Sequence, residues 1–127
     1  MKYAIIADIH GNLEAFQVVL EDIRAQNADH IVCLGDVVGY NANPKECLQI
    51  VREMNIPCVK GNHDEYCSTD NHLDGFNPHA AQAVHWTRDQ LSAEEKQWLR
   101  FEVHAHGRQF HDGSLHARCA RPLGLRL

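Results

Sequence analysis

The sequence lacks the long hydrophobic runs, paired cysteines and basic clusters that mark several common protein classes. None of its apolar runs approaches the ~18 residues that a bilayer-spanning helix needs, so we expect no membrane partner. Its five cysteines form no Cys-x-x-Cys pair, which argues against a disulfide framework or a thiolate zinc site and favours buried, reduced thiols. Acidic residues outnumber basic ones by 17 to 12, and the formal net charge of −5 excludes a general nucleic-acid binder. Asp8 and His10 interrupt the N-terminal apolar run, so we expect no signal peptide and a cytoplasmic protein.

The sequence does contain a regular alternation of short apolar runs and amphipathic segments. Its 127 residues are 44% hydrophobic and 23% charged, as expected for one globular domain. Apolar runs at residues 3–7, 30–34 and 56–60 are predicted strands, and each ends in a polar loop. Helical spacing predicts a helix after residues 11–12 and another after Asn43, a natural N-cap with Pro44 at the first helical position. This alternation is typical of an α/β fold with a mainly parallel sheet and flanking helices.

Later segments are predicted from their capping residues. Asn77 followed by proline is expected to open a helix, and Ser92 with Glu95 fits the capping box of another. Residues 101–111 resemble a hairpin that turns at glycine. The C-terminal part is therefore expected to contain helices followed by a hairpin.

Polar side chains follow each of the three predicted strands. Asp8 and His10 come after the first strand, Asp36 after the second, and Asn62 and His63 after the third. Because parallel strands direct their carboxyl ends to one edge of a sheet, we expect these side chains to converge. Residues two apart in an extended segment point the same way, so Asp8 and His10 can face one ion. Carboxylate, imidazole and amide groups suit manganese, iron, zinc or a similar divalent ion, and Asp36 has two oxygens with which to bridge two ions.

Each of these residues also has a plainer interpretation. Asp8 and Asp36 could be turn or cap residues, His10 a surface side chain, and Asn62 a turn residue. Singly the motifs are weak, but their order and their positions at strand ends favour a metal site. Asp64 is interpreted instead as an acceptor that braces its own loop.

The series Asp8-x-His10, Gly35-Asp36 and Gly-Asn-His-Asp at residues 61–64 resembles the signature of the calcineurin-like metallophosphoesterases. The surrounding segments ADIHGN, IVCLGDVVGY, VKGNHDE and FNPHA resemble a bacterial subgroup described as YfcE-like or diadenosine-tetraphosphatase-like. The resemblance covers roughly residues 1–101. It implies a four-layer α-β-β-α sandwich, of which this chain would supply a part.

The resemblance also implies a site and an activity. The activity is hydrolysis of a phosphoester substrate, a phosphodiester or phosphomonoester, by a metal-activated hydroxide. The implied cofactor is a pair of divalent ions, manganese, iron, zinc or nickel, and His63 is the implied acid that protonates the leaving group. His111 resembles a further ligand histidine displaced by one residue. The implied metal ligands are Asp8, His10, Asp36, Asn62 and His111.

The sequence departs from the family pattern towards its C-terminus. The Gly-His-x-His element that completes the metal shells is absent, and the last fifteen residues contain three arginines and no acid. We therefore divide the chain into a metallophosphoesterase domain over residues 1–112 and an atypical tail over residues 113–127, and expect a truncated or frameshifted product. A partial sandwich exposes an apolar sheet face, so a homodimer is expected. The alternative function is that of a non-catalytic remnant, a metal- or phosphate-binding or assembly module.

Overall fold

The computed structural model describes residues 1–102 and shows a mixed α/β fold with a small parallel sheet and flanking helices, as predicted. Strands β1 and β2 pair in parallel, with Tyr3 beside His30 and Ile6 beside Cys33. The elements in chain order are β1 (Tyr3–Ile6), α1 (Leu13–Ala25), β2 (His30–Cys33), α2 (Pro44–Glu53), α3 (Asn62–Ser68), α4 (Pro78–Gln90), α5 (Ala93–Gln97) and a π-helical turn (Trp98–Glu102).

The third predicted strand, residues 56–60, is reduced to one parallel bridge between Cys33 and Cys58. The N–H of Cys33 donates to the carbonyl of Pro57 at 2.8 Å, and its carbonyl accepts from the N–H of Val59 at 3.1 Å. The ladder stops towards its amino end because Pro57 has no N–H with which to make the next rung. The prediction was therefore right about the direction of the segment and wrong about its extent.

The first two helices begin at the predicted positions. The Asn12 side chain accepts from the N–H of Ala15 at 3.1 Å and starts α1, whose Phe16 is buried. Helix α2 starts with Pro44 at a position where a missing N–H costs nothing. Asn43 occupies the cap position there, although its side chain makes no capping hydrogen bond. Both helices pack an apolar face on the core, as their spacing predicted.

The later helices also start as expected, whereas the hairpin does not. The Asn77 side chain accepts from the N–H of His79 at 2.9 Å at the start of α4. The Ser92 hydroxyl accepts from the N–H of Glu95, and the Glu95 carboxylate accepts from the N–H of Ser92, each at 3.1 Å. The hairpin predicted at residues 101–111 is wrong at its start, which lies in the π-helical turn. The rest of that segment lies outside the described residues.

The hydrophobic core extends under the loop that follows β2. Val37 and Val38 of that loop are fully buried, as are Leu48 and Val51 of α2 and Leu99 of the π-helical turn. A loop with two fully buried valines is anchored by the same apolar burial that holds the helices. The four cysteines of the described segment, Cys33, Cys47, Cys58 and Cys67, are buried and free, as predicted.

Among residues 1–102, no helix is both long and apolar enough to cross a membrane.

Candidate metal centre

The loop that follows β1 and the loop that follows β2 run side by side. The N–H of Asp8 donates to the carbonyl of Gly35 at 3.0 Å, and the N–H of His10 donates to the carbonyl of Asp36 at 2.9 Å. These bonds continue the parallel pairing beyond the ends of the strands. They fix the two loops relative to each other without help from the side chains.

Non-glycine residues with a left-handed backbone are concentrated in these loops. Asp8 has φ 56°, His10 φ 48°, Asp36 φ 57° and Tyr40 φ 66°. Such a backbone is strained for residues with a Cβ and persists only where the surroundings hold it. Asp8 and His10 thus converge through two strained turns, so our reason for their convergence, an extended segment, was wrong.

Asp8, His10 and Asp36 form one cluster of candidate ligands. Each offers a ligand atom, and these three atoms all lie within 4.8 Å of one another. The Nε2 atom of His10 lies 3.2 Å from Oδ1 of Asp8. The three side chains that the sequence placed after two different strands are therefore brought together.

The tautomer of His10 is set by the backbone. Its Nδ1 atom lies 3.1 Å from the carbonyl oxygen of Val38, and a carbonyl can only accept, so Nδ1 carries the proton. In the neutral ring, Nε2 then presents its lone pair towards Oδ1 of Asp8. Two electron-rich atoms at that distance repel each other unless the ring is protonated or a cation lies between them.

This arrangement fits a divalent metal ion. Metal bonds of about 2.1 Å at right angles separate two ligand atoms by about 3 Å, close to the observed spacing of His10 and Asp8. A ligand histidine whose other ring nitrogen donates to a carbonyl is the usual way to fix such a ring. Two carboxylates and one imidazole suit manganese, iron, zinc or nickel rather than metals that prefer thiolates.

Two glycines allow the metal-site loops to touch. A Cβ on Gly61 would lie 2.1 Å from Oδ1 of Asp36, and a Cβ on Gly35 would lie 2.5 Å from the N atom of Gly61. The same Oδ1 atom accepts from the N–H of His63 at 3.0 Å. The glycines thus permit close approach between the loops.

The Asp64 carboxylate connects the loop after β2 with the first turn of α3. Its Oδ2 atom accepts from the N–H groups of Asp36 and Gly61, at 2.8 and 3.0 Å. Its Oδ1 atom accepts from the N–H groups of Val37 and Val38, at 2.9 and 3.3 Å. Burial raises the pKa of Asp64 to about 6, against the lowering effect of these bonds. The predicted bracing role is confirmed, and the brace spans two loops rather than one.

His63 lies behind the metal-ligand cluster in a buried position. Its side chain is 6% exposed, and its ring centroid is 4.9 Å from that of His10. Burial lowers the pKa of His63, and the charge of His10 lowers it further, while Asp36 and Asp8 act in the opposite direction. A lowered pKa makes the protonated ring a stronger acid.

Comparison with known proteins decides the family. The model of the calcineurin-like phosphoesterase family matches residues 1–117. The chain belongs to this family. In this metal-dependent family of hydrolases, the Asp8, His10 and Asp36 cluster is a possible metal site.

Two relatives illustrate the family membership. The chain is 45% identical over 96 residues to an uncharacterised protein of Methanocaldococcus jannaschii, with 76% of this chain and 40% of that protein covered. A crystal structure of a metallophosphoesterase from Sphaerobacter thermophilus is 46% identical, with a TM-score of 0.63, and covers 79% of this chain. The chain spans 40% of the length of each of these two relatives.

Two predicted ligands stand apart from the cluster. Asn62 is the first residue of α3 and is exposed beside His63, so its place in the metal shell stays a prediction. His111 lies outside the described residues, as does the predicted boundary between residues 112 and 113. Four of the six predicted site residues, Asp8, His10, Asp36 and His63, therefore lie together.

Sequence reasoning missed Tyr40, whose ring contacts both site histidines. Its centroid is 4.4 Å from that of His63 and 4.9 Å from that of His10. Tyr40 also lines a cavity of about 330 Å³ beside Asp8 and His10. A single aromatic residue in a loop has no periodicity that would reveal it, and only the preceding Gly39 marks the turn.

Proposed function

We propose that the chain is a metal-dependent phosphoester hydrolase, in which Asp8, His10 and Asp36 hold a divalent ion. The observation that carries this proposal is the spacing of 3.2 Å between Nε2 of His10 and Oδ1 of Asp8, with the proton of the ring held at Nδ1. A cation relieves that repulsion, and the family is metal-dependent. Asn62, at the start of α3, and His111 are proposed as ligands of a second ion.

The residues of the chain have separate tasks in this proposal. When bound, a pair of divalent ions lowers the pKa of a water molecule and neutralises charge on the phosphoryl oxygens. The backbone N–H of His63 donates to Oδ1 of Asp36. The other carboxylate oxygen of Asp36, Oδ2, is therefore available to bind a metal ion. His63 stands beside His10 and is proposed to donate a proton to the departing oxygen.

The substrate and the partners are proposed at a coarser level. We propose a phosphodiester or phosphomonoester substrate, manganese as the first metal to test, and a cytoplasmic homodimer. The proposed subgroup, YfcE-like or diadenosine-tetraphosphatase-like, is supported by segments 31–40 and 59–65 of the sequence.

The experiment measures metal content and hydrolysis in the same samples. The chain is stripped with a chelator, titrated with Mn²⁺, and assayed with bis-(4-nitrophenyl) phosphate and 4-nitrophenyl phosphate. We expect turnover that appears with Mn²⁺ and falls by about a hundredfold or more in Asp36→Asn. That variant replaces the charged carboxylate of a proposed metal ligand with a neutral amide, which binds the ion more weakly. The matched control is Asp74→Asn, since Asp74 is an exposed aspartate that does not belong to the cluster.

The outcomes separate the two functional readings. Two ions per chain with turnover support the hydrolase. One ion or none without turnover overturns it and favours the non-catalytic metal- or phosphate-binding module. Hydrolysis that persists unchanged in Asp36→Asn would show that the cluster is not the catalytic site.

A further inference from the structure

The ring of His63 has no hydrogen bond that would orient it among the described residues. Its Nδ1 atom is buried and has no partner within residues 1–102. His10 differs, because the carbonyl of Val38 holds its ring in one orientation. A histidine that must deliver a proton to one particular atom needs a fixed ring, so another constraint has to act on His63.

That constraint is provided by three aromatic rings and a glycine. The Tyr40 centroid is 4.4 Å from that of His63 at an interplanar angle of 44°, and the Phe76 centroid is 6.1 Å away at 78°. His10 stands edge-on at 4.9 Å and 81°. A Cβ on Gly39 would lie 2.8 Å from Nδ1 of His63, so the backbone closes the remaining side. Tyr40 is the nearest of these rings.

Tyr40 is held in place by its backbone rather than by burial. Its side chain is 53% exposed, and its φ of 66° is unusual for a residue with a bulky side chain. The next N–H, that of Asn41, donates to the carbonyls of Gly39 and His10, at 2.9 and 3.2 Å. A half-exposed aromatic ring on a strained backbone contributes little to the core. Its contacts point instead to a role at the site.

We infer that Tyr40 is a positioning residue, whose ring fixes the imidazole of His63 by packing in place of a hydrogen bond. This inference rests on the proposed function only in taking His63 as the proton donor. The ring of Tyr40 provides the contact, and its hydroxyl makes no hydrogen bond within the described segment. Phenylalanine at this position should therefore suffice, whereas alanine should release the imidazole.

The experiment compares two phosphodiesters with different demands for a proton. A nitrophenyl leaving group departs without protonation, whereas a methyl leaving group needs a proton from the enzyme. For dimethyl phosphate, which has a methyl leaving group, we expect Tyr40→Ala to reduce kcat roughly tenfold to a hundredfold. For bis-(4-nitrophenyl) phosphate, the same variant should change kcat by less than about threefold. His63→Asn should show the same selectivity, and Tyr40→Phe should behave as the wild type.

The matched control is Tyr3→Ala. Tyr3 is likewise about half exposed, at 48%, and its ring packs against that of His30, at 4.9 Å, rather than against that of His63. It should leave both activities unchanged. An equal loss on both esters in Tyr40→Ala would indicate a general structural defect and overturn the inference. A loss in Tyr40→Phe would assign the effect to the hydroxyl and overturn it as well.

A second readout needs no turnover. Nuclear Overhauser contacts between the ring protons of His63 and Phe76 should persist in the wild type, Tyr40→Phe and Tyr3→Ala, and should disappear in Tyr40→Ala. Their persistence in Tyr40→Ala would overturn the positioning role. If the wild type shows no hydrolysis, the proposed function fails, while these contacts still decide whether Tyr40 fixes the ring.

Discussion

At the scale of single residues, the site depends on positions where the backbone adopts a costly conformation. Asp8, His10, Asp36 and Tyr40 all have positive φ. Within residues 1–102, the other two non-glycine residues with positive φ are Asn27 and Asn55, which directly follow helix ends, where asparagine is well tolerated. In this part of the chain, strain without such a local reason is therefore confined to the two loops of the candidate metal centre. Hydrogen bonds from one loop to the other must maintain it.

Asp64 is the residue whose loss should loosen these loops most. In Asp64→Asn, an amide NH₂ replaces one carboxylate oxygen and faces N–H donors where an acceptor is needed. We expect the free energy of unfolding to fall by about 1–3 kcal/mol, the cost of unsatisfied buried donors. Urea denaturation monitored by circular dichroism checks this. Asp74→Asn is the control, and equal stability of the two variants would refute the brace.

The ligand types and their order were predictable from the sequence, whereas the way they converge was not. Asp8, His10 and Asp36 were identified because each follows an apolar run, and parallel strands direct their ends to one edge. Their left-handed backbone could not be read from the residue types, because it is imposed by hydrogen bonds across 27 or 26 positions, such as Asp8 to Gly35. Tyr40 was missed because it lies in a loop, and a loop carries no periodic signal.

At the scale of elements, local signals succeeded where they acted within one turn. The capping box of Ser92 and Glu95 and the side-chain cap of Asn77 formed as predicted. The third predicted strand failed to extend towards its amino end, because Pro57 has no N–H with which to make the next rung of the ladder. Helix α3 was not predicted, because seven residues give too short a helical pattern and its first turn is held by Asp36 and Asp64.

The capping box makes one element sensitive to pH. Burial by itself would raise the pKa of Glu95, but hydrogen bonds from Ser92 and the charge of Lys45 lower it below its ordinary 4.5. A carboxyl whose folded pKa is lowered stabilises the fold above its unfolded pKa, and this stabilisation is lost as the pH falls through the folded value. Glu95→Gln should therefore be less stable than the wild type by roughly 0.5–1 kcal/mol at pH 7.

The measurement is the difference in melting temperature between wild type and variant at pH 7 and well below pH 4.5. The difference should shrink in acid, because the wild-type carboxyl is then protonated. Glu94→Gln is the matched control, since Glu94 is the adjacent acid but has a side chain that is 78% exposed. A difference that grows in acid, or one that is larger in the Glu94 variant, would contradict the role of the cap.

At the scale of the whole molecule, the described segment leaves part of its sheet uncovered. Tyr3 and Ile5 lie two apart in β1, share a face of that strand and are 48% and 66% exposed. Leu34, just beyond β2, is 57% exposed. Exposed apolar side chains that cluster in this way favour association with another surface. This feature supports the homodimer proposed for the chain.

The dimer is tested with two substitutions of the same kind. Light scattering on the full chain should give twice the chain mass. Ile5→Lys should reduce the measured mass to that of the monomer, because a charge cannot be buried in an apolar interface without a partner. Val18→Lys is the control, since Val18 is 65% exposed, almost as much as Ile5, but lies on α1. A monomeric wild type, or dissociation caused only by Val18→Lys, would reject this surface.

The central claim is that Asp8, His10 and Asp36 together bind a divalent metal ion. The most direct measurement is an anomalous difference map from a crystal of the full chain grown with Mn²⁺, with a crystal of Asp36→Asn as the reference. We predict a manganese peak in contact with Nε2 of His10 and with carboxylate oxygens of Asp8 and Asp36, and a weaker or absent peak in the variant. A wild-type map with no peak among these three side chains, at saturating Mn²⁺, would contradict the account.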